Sequence, residues 1–189
     1  MSFLANFVVR NVLNQGWNLL IAHPPCTYLC LSGVSWLYRK MGRWEKLKDA
    51  ASFFKELLNA PVPHIAVENP IPHSHALRLM GRKYSQIIQP WMFGEPYQKA
   101  TCLWLKNLPP LIPQTIKKPP QTIQQMLALP PSENRPGERS RTYKMVAEAM
   151  AEQWGGYVLK KPPKKYTNTF FKKVIKIDHF LSHSGINNK

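Results

Sequence analysis

The sequence predicts an α/β fold built on a parallel sheet with flanking helices, and three observations carry that prediction. An apolar run, Leu19-Leu20-Ile21-Ala22, reads as a buried strand and is stopped by Pro24-Pro25. Residues 43–59 read as an amphipathic helix, with Trp44, Leu47, Ala50, Ala51, Phe54, Leu57 and Leu58 at three-to-four spacing. A second apolar run, His64-Ile65-Ala66-Val67-Glu68, follows a loop bounded by Pro61 and Pro63 and is closed by Asn69-Pro70. Strand, helix, loop and strand in that order form the repeating unit of a parallel sheet.

The remaining elements follow along the chain. Residues 1–16 hold a short apolar stretch that ends in Asn14-Gln15-Gly16, a turn or helix-stop signal. The first strand is expected over 17–22. A short helix is expected over Ser74–Met80, a strand over Tyr84–Pro90 and another over Ala100–Leu105. Residues 107–137 are rich in proline and read as extended or irregular. Helix returns over 141–154, with Tyr143, Val146, Ala147, Met150 and Trp154 on one stripe. Residues 160–189 read as a basic tail appended to a domain of residues 1–159, outside the sheet. There is no internal repeat.

Composition narrows the function. The chain has 189 residues, enough for one domain with a real core. No run of about 18 apolar residues is present, so no membrane span is expected. The start lacks a basic and a long apolar region, so no secretory leader is expected. Three cysteines, Cys26, Cys30 and Cys102, make no disulfide framework and suit a reducing cytoplasm. The net charge of +16 is the strongest signal and points to polyanions, nucleic acid first. Part of it lies in the tail, where eight lysines face one acid, Asp178. A solvated lysine tail is the plain reading of that cluster, and phosphate contact the functional one.

Pro25-Cys26 places a thiol directly after a strand, where open α/β sheets face their ligand crevice. Ser32-Gly33 lies downstream of it. Glu68-Asn69-Pro70 ends the next strand and would open onto the same crevice. Lys99–Thr101 forms a third element, with Arg139 and Arg141 beyond. A nucleophilic cysteine needs basic or hydrogen-bonding surroundings, and a nearby carboxylic acid can hydrogen-bond a ring nitrogen. The plain alternative for Cys26 is a small core residue beside a loop.

Pro-Cys, then Ser-Gly, then Glu-Asn after a later strand resembles the DNA cytosine-C5 methyltransferases. Gly16-Trp17 through Gly33-Val34-Ser35-Trp36-Leu37 is similar to a group of phage and prophage proteins of that type. So are Ala66-Val67-Glu68-Asn69-Pro70, Ile88-Gln89-Pro90-Trp91-Met92-Phe93-Gly94 and Thr101-Cys102-Leu103-Trp104-Leu105. Arg139-Ser140-Arg141-Thr142-Tyr143 with Ala149-Met150-Ala151-Glu152-Gln153-Trp154 completes the set, which spans about residues 10–156. Each motif is weak alone; their number and order carry the resemblance.

The resemblance implies an incomplete Rossmann-like sheet of the S-adenosylmethionine (SAM) methyltransferase type, working on DNA in the cytoplasm of a bacterial host. It implies Cys26 as the nucleophile that adds to cytosine C6, with Pro25 shaping its turn. Glu68 would contact N3 and the exocyclic amine, and Asn69 would order the loop. SAM would supply the methyl group, with Pro24, Ser140 and Thr142 on its side of the site. Lys99, Arg139, Arg141, Lys160, Lys161, Lys164 and Lys165 would contact DNA. The target base must leave the duplex. Two features depart from the family. Thr27 and Pro70 stand where Gln and Val are usual. The glycine loop and acidic residue that hold SAM are missing ahead of Gly16-Trp17. A chain without them would be weak or inactive alone, with an uncovered sheet edge that a partner chain could complete.

Other readings compete. Zinc nucleobase deaminases use His-x-Glu then Pro-Cys-x-x-Cys; here Cys30 is one residue too far and His64 and Glu68 come later, so no metal is expected. His23-Pro24-Pro25 faintly echoes the Asp-Pro-Pro-Tyr loop of amino-methyltransferases, which lack the cysteine. A basic DNA-binding protein without catalysis, or one subunit of a split methyltransferase, is the main alternative. Cys30 and Cys102 are expected to be buried packing residues, and His73 and His75 to be solvated. Trp36, Trp44, Trp91 and Trp104 are expected in the core, though Trp91 in its proline-flanked loop could touch DNA.

Overall fold

A computed structural model describes residues 13–124 and 143–159, together with the backbone of residues 174–178. Strand β1 runs Leu19–His23 and is buried throughout, as a strand covered on both faces must be. Helix α1, Arg43–Leu58, follows and leads to β2, His64–Pro70. The two strands pair in parallel, with Leu19 beside His64 and Ala22 beside Val67. The unit read from the sequence is therefore present.

Helix α2, Ser74–Met80, lies where the sequence puts it and ends at Gly81 in the left-handed region (φ 71°). The expected strand over 84–90 is shorter: β3 is Gln86–Ile88. Pro90–Phe93 then forms a 3-10 turn. β4, Tyr97–Gln98, pairs in a separate small ladder with β6, Ile123–Gln124. β5, Thr101–Lys106, is antiparallel both to β2 and to β3. The twelve residues between β3 and β5 carry no crossover helix, so the chain turns back on itself. The sheet is mixed, in the order β3-β5-β2-β1-β7.

The outermost strand corrects one expectation. β7, Val174–Asp178, pairs in parallel with β1, from Leu19 beside Val174 to His23 beside Asp178. Residues expected outside the sheet thus contribute a strand to it, and β1 is an interior strand with no open edge.

Alternation along the strands builds two cores. Leu20, Ala22, Ile65, Val67, Cys102 and Trp104 point to one face, against Leu47, Ala51, Phe54 and Leu57 of α1 and Ala76 and Met80 of α2. Leu19, Ile21, Ala66, Leu103 and Leu105 point to the other, against Val146, Ala149, Met150 and Trp154 of helix α3, Lys144–Leu159. The Glu95 carboxylate receives the Met145 N–H at the start of α3 (3.1 Å), and the Trp154 indole donates to the Pro109 carbonyl (2.9 Å). Helices thus cover both faces of the sheet. Among the described residues no helix is long and apolar enough to cross a membrane.

Candidate active site

Parallel register sets the site. Ala22 lies beside Val67, so His23 and Glu68 follow at the same height on the face toward α3. His23 Nδ1 and Glu68 Oε2 are 2.8 Å apart, in a nearly buried setting. Asn69 points to the opposite face and is only 1 % exposed. Its amide donates to the Pro24 carbonyl across 3.2 Å, tying the end of β2 to the turn after β1. The carbonyl can only accept, which fixes the amide's orientation.

The turn that carries Cys26 is closed by its own backbone. The Cys26 carbonyl accepts from the N–H groups of Leu29 (2.9 Å) and Cys30 (3.0 Å). Leu31 N–H donates to Ile71 O (2.8 Å) and His73 N–H to Leu29 O (3.1 Å), which staples the turn to the loop after β2. The Arg43 guanidinium donates to Thr27 O (3.1 Å) and lies over the Tyr28 ring at 4.7 Å. Gly33 packs so close that a Cβ would sit 3.0 Å from Thr27 O. A side chain there would press on that carbonyl, so the glycine lets the two segments approach.

Cys26 and Cys30 are both half-buried and face one another as hydrogen-bond partners. Their protonation is coupled. The hydrogen bond from the Cys26 thiol lowers the Cys30 pKa to about 5, against burial and with help from Ser32 Oγ at 3.1 Å and the Gly33 N–H. The same hydrogen bond to Cys30, then burial and the Cys30 charge, raises Cys26, while the Lys99 cation acts the other way. The two thiols therefore titrate as a coupled pair, with Cys30 the more readily ionised of the two.

Beside this turn, Glu68, Ile88, Pro90, Lys99, Thr101, Tyr143 and Val146 line a shallow, solvent-open cleft. Lys99 Nζ is 5.8 Å from the centre of the Tyr143 ring. The Tyr143 hydroxyl is buried with no hydrogen-bond partner among the described residues. Burial first, then Tyr97 and Glu95, push its pKa up to about 12, so it stays a donor.

Of the residues singled out in the sequence, Pro24, Pro25, Cys26, Glu68, Asn69 and Lys99 come together at the ends of β1 and β2. Ser140, Thr142, Arg139, Arg141, Lys160, Lys161, Lys164 and Lys165 lie outside the described residues. Cys26 does not line the pocket itself; Glu68 and Lys99 do. Several expectations are corrected. Cys30 is half-exposed, because it faces Cys26 rather than the core. His73 is buried: its Nδ1 accepts from Ala76 N–H at the start of α2 and its Nε2 donates to Tyr28 O, both at 3.1 Å. His75 is half-buried against Tyr38 and Trp44. Trp36 is 42 % exposed, with Lys40 over its ring, whereas Trp91 is buried. His23 and Tyr143 were missed as site residues. The signal for His23 was its place as the last residue before Pro24-Pro25, matching Glu68 before Asn69-Pro70.

Among the described residues no cluster of three metal-ligating side chains occurs. Among the described residues no glycine lines this shallow cleft and it encloses too little space for SAM, so the described residues do not by themselves form a SAM pocket. No family model matches this chain, and no curated protein matches it.

Proposed function

We propose that this chain binds cytosine in DNA and adds Cys26 to its ring, the first half of a cytosine-C5 methyltransferase reaction. The observation that carries the reading is the placement of Cys26 and Glu68. Cys26 follows β1 and Glu68 lies near the end of the adjacent parallel strand β2, and the Asn69–Pro24 hydrogen bond ties the two segments together. The cleft beside them is shallow and open to solvent, so a flipped pyrimidine would lie in its mouth, over Glu68 and Lys99, rather than in an enclosed cavity.

In this reading the Cys26 sulfur bonds to cytosine C6, and its proton passes to Cys30, its hydrogen-bond partner. The C5–C6 double bond breaks and its electrons move toward N3. Glu68 donates a proton or hydrogen bond to N3, and His23 positions the Glu68 carboxyl from 2.8 Å. C5 is then nucleophilic.

A nucleophilic C5 takes a proton from solvent when no methyl donor is present, and elimination of Cys26 then returns cytosine. The test is hydrogen exchange at cytosine C5. The full chain is incubated with DNA in deuterium oxide without SAM, and deuterium in cytosine is read by mass spectrometry. Exchange that vanishes in Cys26→Ala and falls at least tenfold in Glu68→Gln supports the reading. DNA binding without exchange would instead support a basic DNA-binding protein, as the net charge of +16 allows.

A further inference from the structure

Cys30 has no place in the core, and its position calls for an explanation. It lies four residues after Cys26 in a single turn closed by the Cys30 N–H to Cys26 O bond of 3.0 Å. Side chains at that spacing are neighbours, with Cβ atoms about 5–6 Å apart in a regular turn. Disulfides need about 3.5–4.5 Å, so the turn has to tighten by about 1–2 Å. The ionisation of the two thiols is coupled, and both residues are partly open to solvent. The third cysteine, Cys102, is fully buried in β5, so it does not compete.

We propose that Cys26 and Cys30 form a reversible disulfide, a modification site that closes the turn and masks the Cys26 sulfur. The oxidant is a small-molecule disulfide such as oxidised glutathione. The Cys30 thiolate attacks one of its sulfurs, the S–S bond breaks and one glutathione leaves as thiolate. Cys26 then gives up its proton, and its sulfur attacks the Cys30 sulfur of the mixed disulfide. The second glutathione leaves. Two cysteine thiols are oxidised by two electrons, and one disulfide is reduced to two thiols.

The surroundings favour the first step. Ser32 Oγ lies 3.1 Å from the Cys30 sulfur, and the Gly33 N–H and the Cys26 thiol also stabilise its charge. Resolution is fast when the second thiol is held in contact with the first. That the bond silences a nucleophile rests on the function proposed above; that it forms does not, since its detection needs no DNA.

The experiment uses the full chain, folded and reduced, then treated with oxidised glutathione. Remaining thiols are alkylated, first under native conditions and then in denaturant, and the digested protein is weighed. The expected product is one peptide joining Cys26 and Cys30, two hydrogen atoms lighter, with Cys102 alkylated only in denaturant. A dithiol reductant should restore both thiols. In Cys30→Ser the expected product is no intramolecular bond at all. If Cys26 and Cys30 of the oxidised, unsubstituted chain instead stop at separate glutathione adducts, or both stay alkylatable after oxidation, the proposal is overturned. Loss of cytosine exchange on oxidation, regained on reduction, would add the link to the site. Disulfide formation in a chain that never exchanges cytosine would sink the functional reading and leave this one standing.

Discussion

Replacing Asn69 with alanine tests the join that assembles the site. Its amide is the described donor to the Pro24 carbonyl, at 3.2 Å, and both residues are buried. The substitution leaves a buried acceptor without its donor, which costs about 1–3 kcal/mol. The Asn69 Oδ1 atom has no partner among the described residues, so its removal offsets part of that loss. A net destabilisation of about 1–2 kcal/mol follows. With a urea slope of about 2 kcal/mol per molar, the unfolding midpoint should fall by about 0.5–1 M. The assay is urea unfolding followed by tryptophan fluorescence. Asn69→Asp should fall at least as far, because an ionised carboxylate cannot donate to the carbonyl. Alkylation of Cys26 should also speed up in both variants as its turn loosens. An unchanged midpoint together with unchanged Cys26 alkylation would refute the claim that this hydrogen bond holds the turn against β2.

Two further predictions test the same scaffold. Gly33→Ala puts a Cβ 3.0 Å from Thr27 O and 3.4 Å from Arg43 Nη2, so it should cost about 1–3 kcal/mol and lower the melting temperature in a calorimetric scan; a melting temperature equal to that of the parent would show that the contact relaxes freely. Burial holds the His73 pKa below its ordinary value of 6.5, so the unfolded chain binds a proton first as pH falls. Its contribution to stability is therefore present above about pH 6.5 and is lost as pH falls toward the lower folded-state value. Urea midpoints measured from pH 7.5 down to 5 should drop less in His73→Asn than in the parent, and parallel profiles would contradict this.

How much of this was legible in the sequence depended on distance along the chain. β1, α1 and β2 were readable because each carries its own periodicity and its own proline stop, and their parallel pairing follows from the helix between them. The antiparallel direction of β5 was not, because it is set by what the connection lacks. β7 was hidden by its setting: Val174-Ile175-Lys176-Ile177 sits among lysines and reads as tail, and only the vacant side of β1 gives it a partner. Cys26, Glu68 and Asn69 were found by their places at the ends of strands. The His23–Glu68 contact needed the register, and the Cys26–Cys30 contact needed the turn that Pro24-Pro25 starts. His73 looked like a loop residue because its two hydrogen-bond partners, Tyr28 O and Ala76 N–H, cannot be chosen from sequence.

The central claim is that Cys26 is the nucleophile facing a flipped pyrimidine. It is tested most directly by mass spectrometry of the chain bound to DNA in which one cytosine is replaced by pyrimidin-2-one. That ring accepts a thiol at C6 and keeps it without any methyl donor. The account predicts a covalent peptide–nucleotide adduct at Cys26, absent in Cys26→Ala and reduced in Glu68→Gln. A reduced, folded and DNA-bound chain that gives no adduct, or one that carries it on Cys30 or Cys102, would contradict the account.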